Sequence, residues 1–341
     1  MAMHDPVLHR FISYLAEKKT EQENFPDRHI QIELTRSFIN DVRAAFRHNI
    51  LQGERHLHSL AHILAAKLFY MDFELHSNVI GHLPDTDNRP FHIRERITGD
   101  TLFSLLDIDL GNQMLANFRY NQEGQWVALQ LSANFVEYIP IYNPGNGVNR
   151  ITSRVKAEEE IWNKVTDELF HIDEVVVRDK HLQQYSKYVK DIFGVKVICE
   201  DEATCLKVHE DLREMSFQDP ALQKYMQAEE KLQFIETKNY LTCPPEKMKK
   251  TGWKALKSVV RWQGRLFELQ VQPLSNYYLE LDHMSGPSHQ SFKFNRDDLR
   301  DEIANSVPLY GFYRDLLRML FKEDASICFD AAKASVLITE E

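Results

Sequence analysis

The feature that most constrains the fold is the alternation of short β-branched strands with helical segments in the second half of the chain. Residues 195–200 read Val-Lys-Val-Ile-Cys-Glu, a strand pattern, and residues 202–215 after them predict a helix. Further strands are predicted over residues 240–243, 256–262 and 266–271. Helices are predicted over residues 158–170 and 297–322, the second interrupted at Pro308. This succession predicts a mixed α/β fold, in which helices flank a mixed sheet.

The first half of the chain has a different character. Apolar residues recur at three- and four-residue steps over residues 31–51, which predicts a helix. A second helix is predicted over residues 54–73, after a break at Gly53. From residue 113 the chain becomes rich in β-branched and aromatic residues on both sides of residues 121–124, which predicts a hairpin.

A dense set of turn residues, Asn-Pro-Gly-Asn-Gly at 143–147, marks the predicted boundary between two domains. The length of 341 residues also favours two domains rather than one. The expected division is a helical and β-hairpin domain of unknown role over residues 1–147, and a second domain over residues 148–341.

Composition excludes several classes of protein. A hydrophobic fraction of 43% with 27% charged residues belongs to an ordinary globular chain, not to a disordered or fibrous one. No apolar run reaches the roughly 18 residues of a membrane helix, and the start has no signal-peptide pattern, so no membrane partner is expected. The four cysteines lack CxxC spacing, which favours a reduced, cytoplasmic compartment. The net charge of −10 is opposite in sign to that of nonspecific nucleic-acid binders, and no DNA partner is expected.

Local basic clusters stand out against this acidic background. Arg154 and Lys156 have the two-residue spacing that puts both side chains on one side of an extended segment, and Lys164 follows about two helical turns later. Guanidinium and ammonium groups together suit a triphosphate, although a surface Arg-x-Lys alone is more often simply solvated. A second cluster places five lysines close together: Lys247, Lys249, Lys250, Lys254 and Lys257.

Three other residues have positions suited to chemistry or binding. Asp191 directly precedes an apolar strand, where it could hold Mg²⁺ at the strand edge or cap a turn. Glu268 shares a strand face with Gln270 and Gln272, and a face this polar is either functional or open to solvent. Trp253, among the lysines, suits either the stacking of a base or the anchoring of a turn.

In order and spacing these segments resemble the synthetase domain of RelA/SpoT proteins, which make guanosine tetra- and pentaphosphate. The resemblance covers about residues 148–285 and is carried by four runs: SRVKAEEEIWNK, VKDIFGVKVI, PEKMKKTGWKALKSVV and FELQVQ. It implies a nucleotidyltransferase-like mixed sheet and a magnesium-dependent transfer of pyrophosphate from ATP to a ribose hydroxyl of a nucleotide or RNA acceptor. It also implies a part in the stringent response.

The resemblance implies a role for each matching residue. Asp191 and Glu268 would be the catalytic residues and the magnesium ligands, with Glu268 alternatively acting as the base. The implied ATP-binding residues are Arg154, Lys156, Lys164 and Lys196. The implied acceptor-binding residues are Lys249, Lys250, Trp253, Lys257 and Gln270.

The sequence departs from the family pattern at several of these positions. Glu160 replaces a serine, Lys196 an arginine, Trp253 a tyrosine and Lys257 a histidine. Both carboxylates are kept, which favours catalysis. The changes leave the acceptor open between a guanine nucleotide, an adenine nucleotide and the 3′ end of a tRNA, as in toxic members of the family. The alternative is a catalytically inactive synthetase-like domain that binds a nucleotide or a partner.

The N-terminal half has no match to that family. The only His-Asp pair is His4-Asp5, with nothing before it, so we expect no hydrolase activity of the kind found in long family members. His58 and His62 lie one helical turn apart and could bind a metal, but they lack an HExxH pattern, and packing is the favoured interpretation. This half could instead carry the main activity, or bind a regulatory partner or a second copy of the chain.

Overall fold

The computed structural model describes residues 5–83, 89–104, 119–128, 130–156, 158–170, 192–217, 231–242, 252–285, 300–301, 303–305, 307–321, 330–331 and 333–340. The chain divides into two compact units, each assembled from separate stretches. The first unit comprises Met1–Gln52, Ala157–Val189 and Phe292–Glu341, and the second comprises Gly53–Lys156 and Lys190–Ser291. The predicted boundary between residues 147 and 148 lies inside the second unit, and as a division into folding domains it stays a prediction.

Helices and strands are interspersed along the chain, which confirms the predicted mixed α/β class. The helices within the described residues are α1 (Pro6–Asn24), α2 (Arg36–Leu68), α3 (Gly99–Ser104), α4 (Glu158–Leu169), α5 (Glu202–Glu214), α6 (Leu274–Ser285) and α7 (Tyr310–Phe321). The strands there are β1 (Ile30–Thr35), β2 (Phe73–His82), β3 (Pro90–Ile97), β4 (Arg119–Gln122), β5 (Gln125–Ala128), β6 (Gln130–Pro140), β7 (Val148–Val155), β8 (Phe193–Cys199), β9 (Gln233–Asn239), β10 (Leu256–Trp262), β11 (Arg265–Pro273), β12 (Asp330–Ala331) and β13 (Ala334–Thr339). None of these helices combines the length and the apolar composition needed to cross a bilayer.

The second unit contains an eight-stranded sheet in the order β3-β2-β6-β7-β8-β11-β10-β9. Strands β8 and β11 pair in parallel and the other neighbours pair antiparallel, so the sheet is mixed, as predicted. On one face of the central strands, Val195, Val197, Leu269 and Val271 are buried and form part of the core. The side chains on the opposite face are largely polar.

Strands β4 and β5 form the predicted hairpin as a separate two-stranded sheet. Its turn residues Glu123 and Gly124 have φ angles of 52° and 89°. Two positive φ angles are typical of the type I′ turn, whose twist matches that of paired strands. The hairpin prediction is confirmed.

Helix α2 corrects the predicted break at Gly53, because it runs without interruption from Arg36 to Leu68. A methyl group on Gly53 would lie 2.0 Å from the Phe193 ring, so glycine lets that ring approach the helix backbone. The residue therefore serves close packing rather than chain reversal. Glycine alone does not distinguish these two uses in a sequence.

Three further predictions of elements are wrong in part. The helix predicted to reach residue 73 ends at Leu68, and Phe73 begins β2. The helix predicted over residues 31–51 begins only at Arg36, because residues 30–35 form β1, in which alternate residues are buried. The strand predicted over residues 240–243 is replaced, in its described part, by a turn. The side-chain oxygen of Asn239 accepts the backbone N–H groups of Leu241 and Thr242 there, which ends β9.

The first unit contains a three-stranded sheet in the order β1-β13-β12. Strands β1 and β13 are parallel, and Ile30 is the partner of Ala334. Helix α7 contributes Tyr313, whose hydroxyl donates to the backbone carbonyl of Leu15 in α1 at 2.9 Å. Segments far apart in sequence thus form one core in this unit.

Candidate functional site

A row of polar residues crosses the whole sheet of the second unit. Residues paired across neighbouring strands project to the same face, so the strand registers define which side chains lie side by side. In strand order, this transverse row consists of Arg96, His76, Glu137, Thr152, Lys196, Gln270, Lys257 and Lys238. All eight strands contribute a polar residue, and the face therefore suits a charged ligand.

A pocket of about 240 Å³ lies at the middle of this face. Five of its lining residues were predicted as site residues: Arg154, Lys156, Lys196, Glu268 and Gln270. The other lining residues are Phe135, Thr152, Ile192, Gly194, Val195, Tyr277 and Glu280. The structure thus brings the basic Arg-x-Lys segment and the acidic strand β11 into one cavity.

The strand register explains why Arg154 and Glu268 meet in this pocket. Both are paired with Gly194 of β8, Arg154 from β7 and Glu268 from β11. Gly194 has no side chain, so the floor between the two charged residues stays open. The Arg154 side chain is exposed at this edge, as a residue that contacts a ligand should be.

Both carboxylate oxygens of Glu268 have partners within the sheet. Oε2 lies 2.5 Å from the ammonium of Lys257, which is on the neighbouring strand β10. Oε1 accepts a hydrogen bond from the side-chain amide of Gln270, two residues along β11. Lys257 and Gln270 therefore hold this carboxylate in place at the pocket wall.

A second carboxylate, Glu280 of α6, binds three donors from different elements. Its Oε2 accepts from the Lys196 ammonium at 2.7 Å and from the Gln272 amide at 2.9 Å. Its Oε1 accepts from the indole N–H of Trp253 at 2.8 Å. Burial opposes the charge on Glu280, but the Lys196 ammonium and these hydrogen bonds outweigh it and lower the pKa of the carboxyl.

The predicted stacking residue Trp253 is half-buried beside this cluster. Its ring meets Tyr240 edge to face, with the centroids 5.6 Å apart. The backbone N–H of the next residue, Lys254, donates to Asn276 of α6 at 3.1 Å. Trp253 and Lys257 thus lie next to residues of the pocket wall, although neither lines the pocket itself.

The remaining predicted site residues belong either to the first unit or to the part of the chain outside the described residues. Lys164 belongs to helix α4 of the first unit, whereas the pocket lies in the second. Asp191, Lys249 and Lys250 lie outside the described residues. Within the described residues, no cluster of three or more histidines, cysteines or carboxylates is placed to hold a metal. Glu268 offers the hard oxygen atoms that Mg²⁺ prefers, and the predicted pair of ligands with Asp191 stays a prediction.

Sequence reasoning missed Glu280 and Tyr277, which helix α6 contributes to the pocket. The helix starts directly after β11, and the two residues are three positions apart, so they lie on one face of the helix. The helix mixes polar and apolar residues from its start, so its own sequence does not single out these two positions. The position of the helix over the sheet depends on tertiary packing, and a local sequence pattern does not contain that information.

The histidines of α2 lie among aromatic rings. The ring of His62 is 5.1 Å from that of Phe73 and 6.2 Å from that of Phe103, centroid to centroid. Burial lowers the pKa of His62 to about 4. His58, one turn earlier, meets Phe103 edge to face at 6.3 Å. The imidazole of His62 is therefore neutral in the folded chain near pH 7.

Comparison with known proteins gives structural matches only. No family model and no curated protein matches the sequence. The small alarmone synthetase 1 from Bacillus subtilis matches at 16% identity, over 52% of this chain and 77% of that one, with a TM-score of 0.27. Its complex with the product pppGpp matches at 16% identity, over 52% and 76%, with a TM-score of 0.27.

A third match is a GTP pyrophosphokinase family protein from Streptococcus pneumoniae, at 18% identity, over 52% of this chain and 73% of that one, with a TM-score of 0.29. The chain is structurally similar, over about half of its length and at low sequence identity, to small alarmone synthetases and the GTP pyrophosphokinase family.

Proposed function

We propose that the pocket of the second unit binds the phosphates of ATP, and that the chain is a divergent pyrophosphokinase. It would transfer the β,γ-pyrophosphate to a ribose hydroxyl, with AMP as the leaving group. The observation that carries the proposal is that Arg154, Lys156 and Lys196 line one pocket together with the carboxylate of Glu268. Three cations around one cavity supply the charge that a triphosphate requires, and a carboxylate beside them supplies a base.

Each residue then has a distinct task. The guanidinium of Arg154 can hold two phosphate oxygens at once, whereas the ammonium groups of Lys156 and Lys196 act as point charges. Glu268, held by Lys257, is proposed to take the proton of the attacking hydroxyl. Mg²⁺, proposed to bind at Glu268 and Asp191, would neutralise charge on the phosphates when present.

The acceptor side is proposed to lie toward Trp253, Lys257 and Gln270, with Lys249 and Lys250. An indole stacked on a base contributes about 1 to 3 kcal/mol. The acceptor is proposed to be a guanine or adenine nucleotide or the 3′ end of a tRNA. A cytoplasmic location, a part in the stringent response and a partner for residues 1–147 stay predictions.

The test is a transfer assay with the full chain. The chain is incubated with ATP labelled at the β and γ phosphates, Mg²⁺ and a panel of GDP, GTP, ADP and tRNA, and the products are separated. We expect label in one acceptor. Arg154→Ala should lower the transfer rate by about 100-fold or more, the usual cost of losing one group that stabilises the transition state.

The matched control is Arg261→Ala. Arg261 is also an exposed arginine of a strand in the same sheet, but it does not line the pocket. Its loss should change the rate by less than about twofold, because surface substitutions rarely affect a distant site. Equal loss in both variants would show that general charge, and not the pocket, supports the reaction.

One observation favours a second function, a domain that binds a nucleotide without transferring pyrophosphate. Both oxygens of Glu268 already have partners, Lys257 and Gln270, and a base needs one oxygen directed at the acceptor. The same assay, with ATP binding to the original chain and to Arg154→Ala measured beside it by titration calorimetry, separates the two functions. Binding of ATP that depends on Arg154, without label in any acceptor, would establish the binding domain.

A further inference from the structure

The Glu280 carboxylate lines the pocket and is bound by hydrogen-bond donors. The groups that meet its carboxylate are the Lys196 ammonium, the Gln272 amide and the Trp253 indole N–H, all of them donors. They come from β8, from β11 and from the segment before β10, so three separate parts of the unit converge on one carboxylate. This is the arrangement of donors that holds a phosphate or carboxylate group.

The donors are themselves oriented by the fold. Gln272 is fully buried, and its carbonyl oxygen accepts from the Asn276 amide at 2.8 Å, which directs its own N–H group toward Glu280. Asn276 in turn accepts the backbone N–H of Lys254. The donor geometry therefore depends on the scaffold. Lys196 is the one of these three donors that lines the pocket, so it is the donor that an anion would meet on displacing the Glu280 carboxylate.

The charges of the pocket give this carboxylate a direct effect on binding. Arg154, Lys156 and Lys196 contribute three positive charges to the lining, and Glu268 and Glu280 contribute two negative ones, which leaves +1. Without the charge of Glu280 the lining would carry +2. A polyphosphate anion therefore meets both a weaker attraction and an occupied Lys196.

We propose that Glu280 is a built-in competitor of the polyphosphate, whose carboxylate takes the position at Lys196 that a phosphate oxygen must occupy. This rests on the proposed function of the pocket. Binding of a polyphosphate then requires the Lys196–Glu280 pair to separate. The Glu280 carboxylate thereby sets the affinity of the pocket for a polyphosphate, and it keeps weakly charged anions from taking its position at Lys196.

The test is titration calorimetry of the full chain with inorganic triphosphate, at low and at high salt. Glu280→Gln removes the competing charge and keeps an acceptor for the indole N–H, so triphosphate should bind about fivefold more tightly, the size of one ion pair. The salt dependence of the affinity should become steeper, because more net positive charge faces the ligand. Glu280→Asp, which keeps the charge but shortens its reach, should shift the affinity less and in the same direction.

The control is Glu214→Gln. Glu214 also pairs with a lysine, Lys231, at 2.9 Å, but it is 82% exposed and outside the pocket, so its loss should leave the affinity unchanged. If Arg154→Ala weakens triphosphate binding while both Glu280 variants bind as the original chain or more weakly, the competitor role is refuted and the pocket stands. If no variant binds triphosphate at all, the proposed function fails and this inference fails with it.

Discussion

At the scale of single residues, Glu137 shows how a charge is kept inside the sheet. Its side chain is only 2% exposed, yet it accepts from Arg94 at 3.1 Å and from Arg150 at 3.0 Å. It also accepts from the hydroxyl of Tyr277, a residue of the pocket wall. Burial opposes the charge, but Tyr277 and the arginines outweigh it and lower the pKa of the carboxyl.

Removing this charge should destabilise the second unit. Glu137→Gln leaves the half-buried Arg150 without its counter-charge, so the free energy of unfolding at pH 7 should fall by about 3 kcal/mol. The control is Glu74→Gln on the neighbouring strand β2. Glu74 pairs with Arg96 at 3.0 Å but is 30% exposed, and its loss should cost less than about 1 kcal/mol. Urea denaturation measures both.

The pH dependence of this difference has a definite sign. A carboxyl whose pKa is lower in the folded than in the unfolded chain stabilises the fold above its ordinary value of 4.5. That contribution is lost as the pH falls through the lowered pKa of the folded state. The stability difference between the original chain and Glu137→Gln should therefore shrink as the pH is taken below 4.5. A stability difference that stays constant below pH 4.5 would contradict a charged Glu137 in the folded chain.

Residues of the pocket were predictable where their own strand showed the pattern. Arg154 and Lys156, like Glu268 and Gln270, alternate with apolar residues, and the alternation assigns each pair to one face. Glu280 has no such local pattern. Its place in the pocket depends on how α6 turns back over the sheet, which is a property of packing between elements.

At the scale of elements, the contact between α2 and β8 shows how packing can favour a residue of low helix propensity inside a helix. Glycine in a helix interior costs about 1 kcal/mol relative to alanine. At Gly53 that cost is offset by the approach of the Phe193 ring, which is itself 4% exposed. The packing of the Phe193 ring therefore accounts for a glycine at position 53 of the helix.

Gly53→Ala should destabilise the chain by about 1 to 3 kcal/mol despite the better helix propensity of alanine, since the added methyl group overlaps the ring. Phe193→Leu in the same chain should recover much of the loss, because the smaller side chain leaves room. A double-mutant cycle by denaturant unfolding measures the coupling between the two positions. A gain in stability from Gly53→Ala alone would show that the ring moves aside without cost.

Elements were predictable where one periodicity dominated. The limits predicted for β10, residues 256–262, are confirmed to the residue, because alternating residues are followed there by a turn. Residues 30–35 alternate as a strand does, but their apolar residues also continue the helical period of the residues that follow. The choice of strand depends on pairing with β13, which lies at the other end of the chain.

At the scale of the whole molecule, the three-stranded and the eight-stranded sheets join distant parts of the sequence. Strands β2, β3 and β6 from the first half of the chain continue the sheet formed by β7 to β11. Such pairings were not predictable from local patterns, which specify that a strand exists but not its neighbour. The mixed α/β class followed from the order of elements, whereas the strand order needed the structure.

The pairing of β1 with β13 predicts different effects for two adjacent residues. Val336 is 8% exposed and Leu337 is 44% exposed. Val336→Asp should lower the free energy of unfolding by about 3 kcal/mol, because it buries a charge without a partner. Leu337→Asp should change it by less than about 0.5 kcal/mol, as an exposed position should. Similar effects of both substitutions, measured by urea unfolding, would place β13 away from a core.

The transverse row has a consequence for how this sequence can change over evolutionary time. Because side chains alternate between the faces of a sheet, inserting one residue in β8 before Lys196 would turn Lys196 toward the apolar face and put a valine in its position in the row. Replacement of a single side chain alters one position of the row, whereas a change in strand length exchanges the two faces of that strand. Descendants of this chain should therefore vary in residue identity at the row while their central strands keep a constant length.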